Sequence, residues 1–121
     1  LARPSSALGD APQTVVHRAA FPLDVYLFGT FFIPVKFEYD PSKSSRNKAK
    51  HGIDFVAAQA LWNDGSRLEI EAESLDEPRF QVLGLIGNKV WSAFITYRTE
   101  TVRIISVRRA RENEEQLYYD R

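Results

Sequence analysis

Apolar and polar residues alternate in four consecutive stretches between Arg67 and Val107. Side chains in a strand point to opposite faces in turn, so this period of two predicts half-buried β-strands. In Arg67 to Glu73, Leu68, Ile70 and Ala72 share a face. In Phe80 to Ile86, Phe80, Val82, Gly84 and Ile86 do so. Gly87-Asn88 is hairpin chemistry and leads into Val90 to Tyr97. The fourth strand, Thr101 to Val107, follows Thr99-Glu100. Upstream the pattern differs. Val35 to Tyr39 alternates and predicts a short strand. Asp40-Pro41-Ser42 carries helix-start signals, Lys43 to Lys50 reads as a basic helix, and Gly52 stops it. Asp54 is placed to cap a second helix, Phe55 to Trp62, with Phe55, Ala58 and Leu61 or Trp62 on one face. Asn63-Asp64-Gly65 is a turn, and Arg109 to Tyr119 reads as a closing helix. The expected fold is α+β: a small single domain, an antiparallel meander sheet packed with helices.

Residues 1–34 follow none of these periods. Leu1 to Ala20 is rich in Ala, Pro and Ser and predicts disorder. Phe21 to Pro34 is apolar, but Asp24, Gly29 and two prolines interrupt it. A membrane span needs about 20 apolar residues, and a signal peptide needs a continuous apolar core. Neither fits. The expectation is a dispensable extension, disordered or outside the native domain, before a domain at residues 35–121. The chain contains no methionine, even at position 1, and a start at Val35 suits the motifs that follow.

At 121 residues the chain fits one domain. The lack of cysteine excludes disulfides, thiolate chemistry and cysteine zinc sites, and fits the cytoplasm. No Gly-rich phosphate loop occurs; Gly84-Leu85-Ile86-Gly87 lacks the lysine and the spacing. No helix carries two histidines at metal spacing, and Ser106 has no nucleophile-elbow context. Glu69, Glu71 and Glu73 share a strand face, the usual make-up of a solvated edge. No cofactor or metal is therefore expected.

The net charge is zero, which removes any global pull toward nucleic acid. The charges nevertheless fall in blocks. Residues 36–51 carry five basic and two acidic side chains, and residues 54–80 two and seven. Residues 81–111 carry six and one, and residues 112–121 one and four. The basic blocks hold the candidate chemistry. His51 is the sole histidine after the N-terminal segment, and imidazole suits proton transfer near neutral pH. Equally, His51-Gly52 is a fitting end for a helix, where a cation complements the dipole. Alternation places Arg103 on one face with Ile105 and Val107, and Val102, Ile104 and Ser106 on the other. Arg108 and Arg109 are expected where the strand becomes a helix, so that backbone N–H groups add to anion attraction. The plain alternative for each arginine is a surface ion pair, for example with Glu112 or Glu115.

Taken together, these residues resemble a known family. Phe37-Glu38-Tyr39-Asp40-Pro41-x-Lys43 is followed by Asn47-x-x-Lys50-His51-Gly52-Ile53-x-Phe55-x-x-Ala58 and Glu77-x-Arg79. Tyr97-Arg98 and Arg103-Ile104-Ile105-Ser106-Val107-Arg108-Arg109-Ala110 come next, with Glu112 or Glu115 and Tyr118. Over residues 36 to about 120 this order is similar to the BrnT toxins. The sequence departs from their pattern in a short loop before Glu77, without a histidine and a glycine often found there, and in Val107 for a usual alanine. The resemblance implies a RelE-like ribonuclease of a type II toxin–antitoxin pair, which inhibits translation by cutting RNA without a metal. It further implies a BrnA-like antitoxin with a ribbon-helix-helix region, a heterotetramer of two toxins and two antitoxins, and operator DNA bound only through the antitoxin. No membrane partner is implied.

Metal-free cleavage needs a base for the 2′-OH, an acid for the leaving oxygen, and cations on the phosphorane. The catalytic candidates are Lys50, His51, Arg79, Arg108 and Arg109. The substrate-binding candidates are Lys48, Arg98, Arg103 and Tyr118. A non-catalytic module whose basic face docks an acidic protein partner would use the same charges.

Overall fold

The computed structural model describes residues 35–120, together with the backbone of three short strands before them. These are β1 (Val16–Arg18), β2 (Val25–Phe28) and β3 (Phe31–Pro34). The expectations for residues 1–34 otherwise lie outside the described residues. Then follow β4 (Lys36–Glu38), α1 (Pro41–His51), a 3₁₀ helix (Ala57–Asn63), β5 (Leu68–Ala72), β6 (Arg79–Ile86), β7 (Lys89–Arg98), β8 (Thr101–Arg109) and α2 (Glu112–Tyr119). Strands β5 to β8 form the antiparallel meander, and β4 joins β8 in parallel. β1 lies antiparallel beside β5, while β2 and β3 pair with each other.

The turn between β6 and β7 follows from its sequence. Gly87 has φ +68° at the first central position, which an L side chain resists. α1 is framed as its termini predict. The Asp40 carboxylate accepts from Ser42 N at 2.9 Å, and Gly52 closes the helix with φ +82°.

Most boundaries differ from the sequence reading by one or two residues, and three of the differences arise because a tertiary partner claims the residue. The second helix begins at Ala57 rather than Phe55 and is 3₁₀. Phe55 N–H donates instead to Ser44 Oγ at 2.8 Å, while Asp54 Oδ1 accepts from Ala57 N at 2.8 Å. β8 continues past Val107 to Arg109, because Arg108 and Arg109 pair with Ser92 and Trp91. Ala110 N–H then donates to Val90 O at 3.0 Å, so α2 starts only at Glu112. The last difference is one of facing. The β7–β8 ladder has a bulge: Ile104 faces Ile95 and Ser106 faces Phe94, leaving Ile105 without an opposite residue. One extra residue inverts the alternation beyond it. Val107 therefore rejoins Val102 and Ile104 in the core, parted from Arg103.

The sheet is buried on both faces. One core joins Phe80, Val82, Ala93, Ile95, Val102, Ile104 and Val107 to Ile53, Phe55, Ala58, Leu61 and Trp62. The smaller one places Tyr118 of α2 on Leu68, Ile70, Leu83 and Val90. α1 does not dock through apolar side chains: its buried residues are Ser44 and Asn47. Asn47 Nδ2 donates to Ile53 O at 2.8 Å and to Val107 O at 2.9 Å, and Oδ1 accepts from Val107 N at 3.2 Å. The amide acts as a fragment of strand, pairing both backbone groups of Val107 beyond the reach of three-residue β4.

Candidate active site

The basic candidates arrive on two faces of one sheet. On the first, α1 delivers its last turn. Lys48 and Lys50 are exposed and His51 is half-buried. His51 follows Asn47 by four residues, so the two share a helix face, and Asn47 is pinned to β8. Arg109 lies on this face too. It stands opposite Trp91, with its guanidinium carbon 5.6 Å from the ring centre, and reaches Glu115 at 3.8 Å.

Arg108 points to the other face, where α2 packs. Its Nη1 and Nη2 donate to the two carboxylate oxygens of Glu114 at 2.8 and 2.9 Å. Nη1 also reaches Arg109 O at 3.2 Å. The guanidinium carbon stands 5.4 Å from the centre of the Phe94 ring, a cation–π contact. Glu114 accepts further from Gln81 Nε2 and from Arg111 N, each at 2.8 Å. The hydrogen bonds from Arg108 hold the Glu114 carboxyl down to about 2, against an ordinary value of 4.5, with burial opposing them. The same pairing raises the Arg108 guanidinium.

This network has a consequence for acid stability. A carboxyl lowered by folding adds stability that is complete above its unfolded value and drains away as pH falls toward the folded one. The expected window therefore runs from about pH 4.5 down to about 2. Melting temperatures measured across that window should fall more steeply for the wild type than for Glu114→Gln. Parallel curves would show that the pair adds nothing to folding.

Arg79, Arg98 and Arg103 occupy the same face as Arg108, at the other end of the sheet. Arg103 pairs across the ladder with Thr96 on one side and Glu38 on the other. Its guanidinium reaches the Glu38 carboxylate at 3.0 Å. Arg98 contacts Glu38 at 3.6 Å and Glu77 at 3.5 Å. Arg79 is half-buried, and its Nε is buried with no hydrogen-bond partner among the described residues. A buried N–H without an acceptor is costly.

The fold thus gathers Arg79, Arg98, Arg103 and Arg108 on one face. It sets Arg109, Lys48, Lys50 and His51 on the side of α1. Tyr118 joins neither group. It is 4% exposed, and its hydroxyl donates to Asp64 Oδ2. Four contributors escaped the sequence reading. Glu114, rather than Glu112 or Glu115, is the partner of Arg108; its place three residues after Arg111 is informative only once β8 is known to reach Arg109. Asn47 was visible in a motif but had no role. Phe94 and Trp91 read simply as strand aromatics. Among the described residues, no three His, Asp or Glu side chains stand together as a metal site. No helix there is long and apolar enough to cross a membrane.

Residues 39–114 match the family model described as the ribonuclease toxin, BrnT, of a type II toxin–antitoxin system. No curated protein matches the chain.

Proposed function

The chain belongs to the BrnT family, ribonuclease toxins of type II toxin–antitoxin systems, and from that membership we propose that RNA is cut where the last turn of α1 meets the end of β8. The α+β fold is the RelE-like one expected of that family, and an antitoxin and an RNA substrate come with it. The observation that carries the location is the Asn47 clamp on Val107. Glu38 sits opposite Arg103 and Asn47 is bonded to Val107, so the chain has moved toward the C-terminal end of β8 between β4 and the middle of α1. His51 lies one turn past Asn47, roughly 5–6 Å along the helix axis. Arg109 lies two residues past Val107, roughly 6–7 Å along the strand. Both side chains therefore advance by a similar distance from one shared anchor.

At that place the RNA 2′-oxygen attacks the adjacent phosphorus, its proton is taken up, and the bond to the 5′-oxygen breaks as that oxygen is protonated. His51 transfers protons, with Lys50 beside it. Arg109 and, round the end of the strand, Arg108 balance the charge that grows on the phosphorane. Arg79, Arg98 and Arg103 hold phosphates further along the chain, with Lys48 on the α1 side. The products are a 2′,3′-cyclic phosphate and a 5′-hydroxyl, and no metal takes part.

The antitoxin covers the basic surface through an acidic or amphipathic segment and supplies operator binding, in an assembly of two toxins and two antitoxins. Association of this kind is fast and weakens with salt.

The test is cleavage of mRNA in a purified translation reaction with EDTA present. Cleavage should persist, and the new 3′ ends should resist enzymatic polyadenylation until the cyclic phosphate is removed. Loss of cleavage with EDTA, restored by added divalent cation, would overturn the metal-free mechanism.

A further inference from the structure

We propose that Glu114 is a positioning residue for RNA cleavage: it grips one edge of the Arg108 guanidinium and so presents the other edge to a phosphate. The proposal rests on the reading above that Arg108 touches RNA. A guanidinium is a planar fork with five N–H donors and two edges that can each engage an anion bidentately. In Arg108 the end formed by Nη1 and Nη2 is taken by Glu114 at 2.8 and 2.9 Å. The second Nη1 hydrogen is taken by Arg109 O at 3.2 Å. What remains is Nε–H and one Nη2 hydrogen, which lie side by side on the remaining edge. Neither has a partner among the described residues.

Three features make Glu114 a fixed support rather than a passing surface partner. Its side chain is 13% exposed and that of Arg108 21%, so water competes weakly at both. Gln81, itself bonded to Ser92 Oγ at 2.8 Å, holds Glu114 Oε2 from the sheet. Arg111 N holds Oε1 from the start of α2. The stem of Arg108 is steadied in turn by the sheet, with Phe94 beneath the guanidinium. A long side chain normally loses rotamer freedom when it binds phosphate; here that freedom is already gone. The carboxylate also lowers the net charge of the pair, so the gain is orientation rather than raw attraction. The effect should accordingly fall on turnover more than on substrate affinity.

The experiment compares Glu114→Gln, Arg108→Ala, the double variant, and the exchanged pair Arg108→Glu/Glu114→Arg. Each full-length chain is assayed with a short single-stranded RNA well below its melting temperature. Glu114→Gln should lower kcat roughly 10- to 100-fold with KM changed less than about threefold. In the Arg108→Ala background the same change should have no further effect on kcat, because the residue acts through Arg108. The exchanged pair restores an ion pair between sheet and α2 but moves the guanidinium, so it should fold and stay impaired; it also serves if Glu114→Gln does not fold. Normal kcat in Glu114→Gln, or full activity in the exchanged pair, would reduce Glu114 to a staple for α2 and overturn the proposal. Full activity of Arg108→Ala would fail the underlying reading instead, since Arg108 would then have no part in cleavage.

Discussion

Replacing Asn47 by alanine should cost about 3 kcal/mol of folding stability, near the upper range for one polar side chain. The reason is the number of backbone groups that depend on it. Val107 N–H, Val107 C=O and Ile53 C=O all pair with this amide. Each buried backbone group left unpaired costs about 1–3 kcal/mol, reduced where water can enter. No neighbour can take over, since β4 ends at Glu38 and its register on β8 stops at Arg103. Asn47→Asp should be no milder. It keeps an acceptor for Val107 N–H but sets a carboxylate against two carbonyl oxygens. For a domain of this size the loss corresponds to a fall of roughly 10–20 °C in melting temperature. Thermal and urea unfolding of both variants would measure it. A shift below about 2 °C would mean that α1 is held by something other than this clamp, and would remove the anchor on which the proposed active site depends.

The same residue shows why part of this protein could be read from its sequence and part could not. Strands β5 to β8 were legible because each buries alternate side chains, and alternation is a local property. The ends of α1 were legible because Asp40 and Gly52 satisfy the helix's own termini. The docking of α1 was not, because periodicity finds apolar stripes and this helix has none; its buried face is Ser44 and Asn47. The bulge at Ile105 was hidden for another reason. Ile104-Ile105 offers two interchangeable β-branched residues, and only pairing with Phe94 and Ile95 decides which one is displaced. That single displacement governs the candidate site, because it assigns Arg108 and Arg109 to their faces. The arginines were visible as a cluster; how the fold divides them was not. Likewise, Glu114 could be chosen over Glu112 and Glu115 only after the ladder had carried β8 to Arg109. Tyr118 was conspicuous in sequence as the last matching residue, yet its place is in the smaller core.

His51→Ala should lower RNA cleavage by roughly 100- to 10,000-fold, the span over which a positioned acid or base accelerates proton transfer. Its effect on stability should be small. His51 is half-buried at the final position of α1, its side chain makes no hydrogen bond among the described residues, and it is followed by Gly52, which supplies the helix cap. That separation makes the variant informative, since loss of activity would not be traceable to loss of fold. The comparison is Arg109→Ala, whose guanidinium lies over Trp91 and, on the proposed function, meets the phosphate. Both should lose turnover, but only Arg109→Ala should also raise KM, because a cation attracts the RNA before reaction as well as during it. Both should still be captured by the antitoxin, whose contact area is far larger than one side chain. Single-turnover cleavage of a defined RNA, measured beside antitoxin binding on the same preparations, separates these effects. If His51→Ala cleaves at the wild-type rate, the proton-transfer role is lost and the site must be sought around the arginines alone. If it loses cleavage and antitoxin binding together, with an unchanged melting temperature, His51 belongs to the contact surface, and the assignment of chemistry to the end of α1 falls with it.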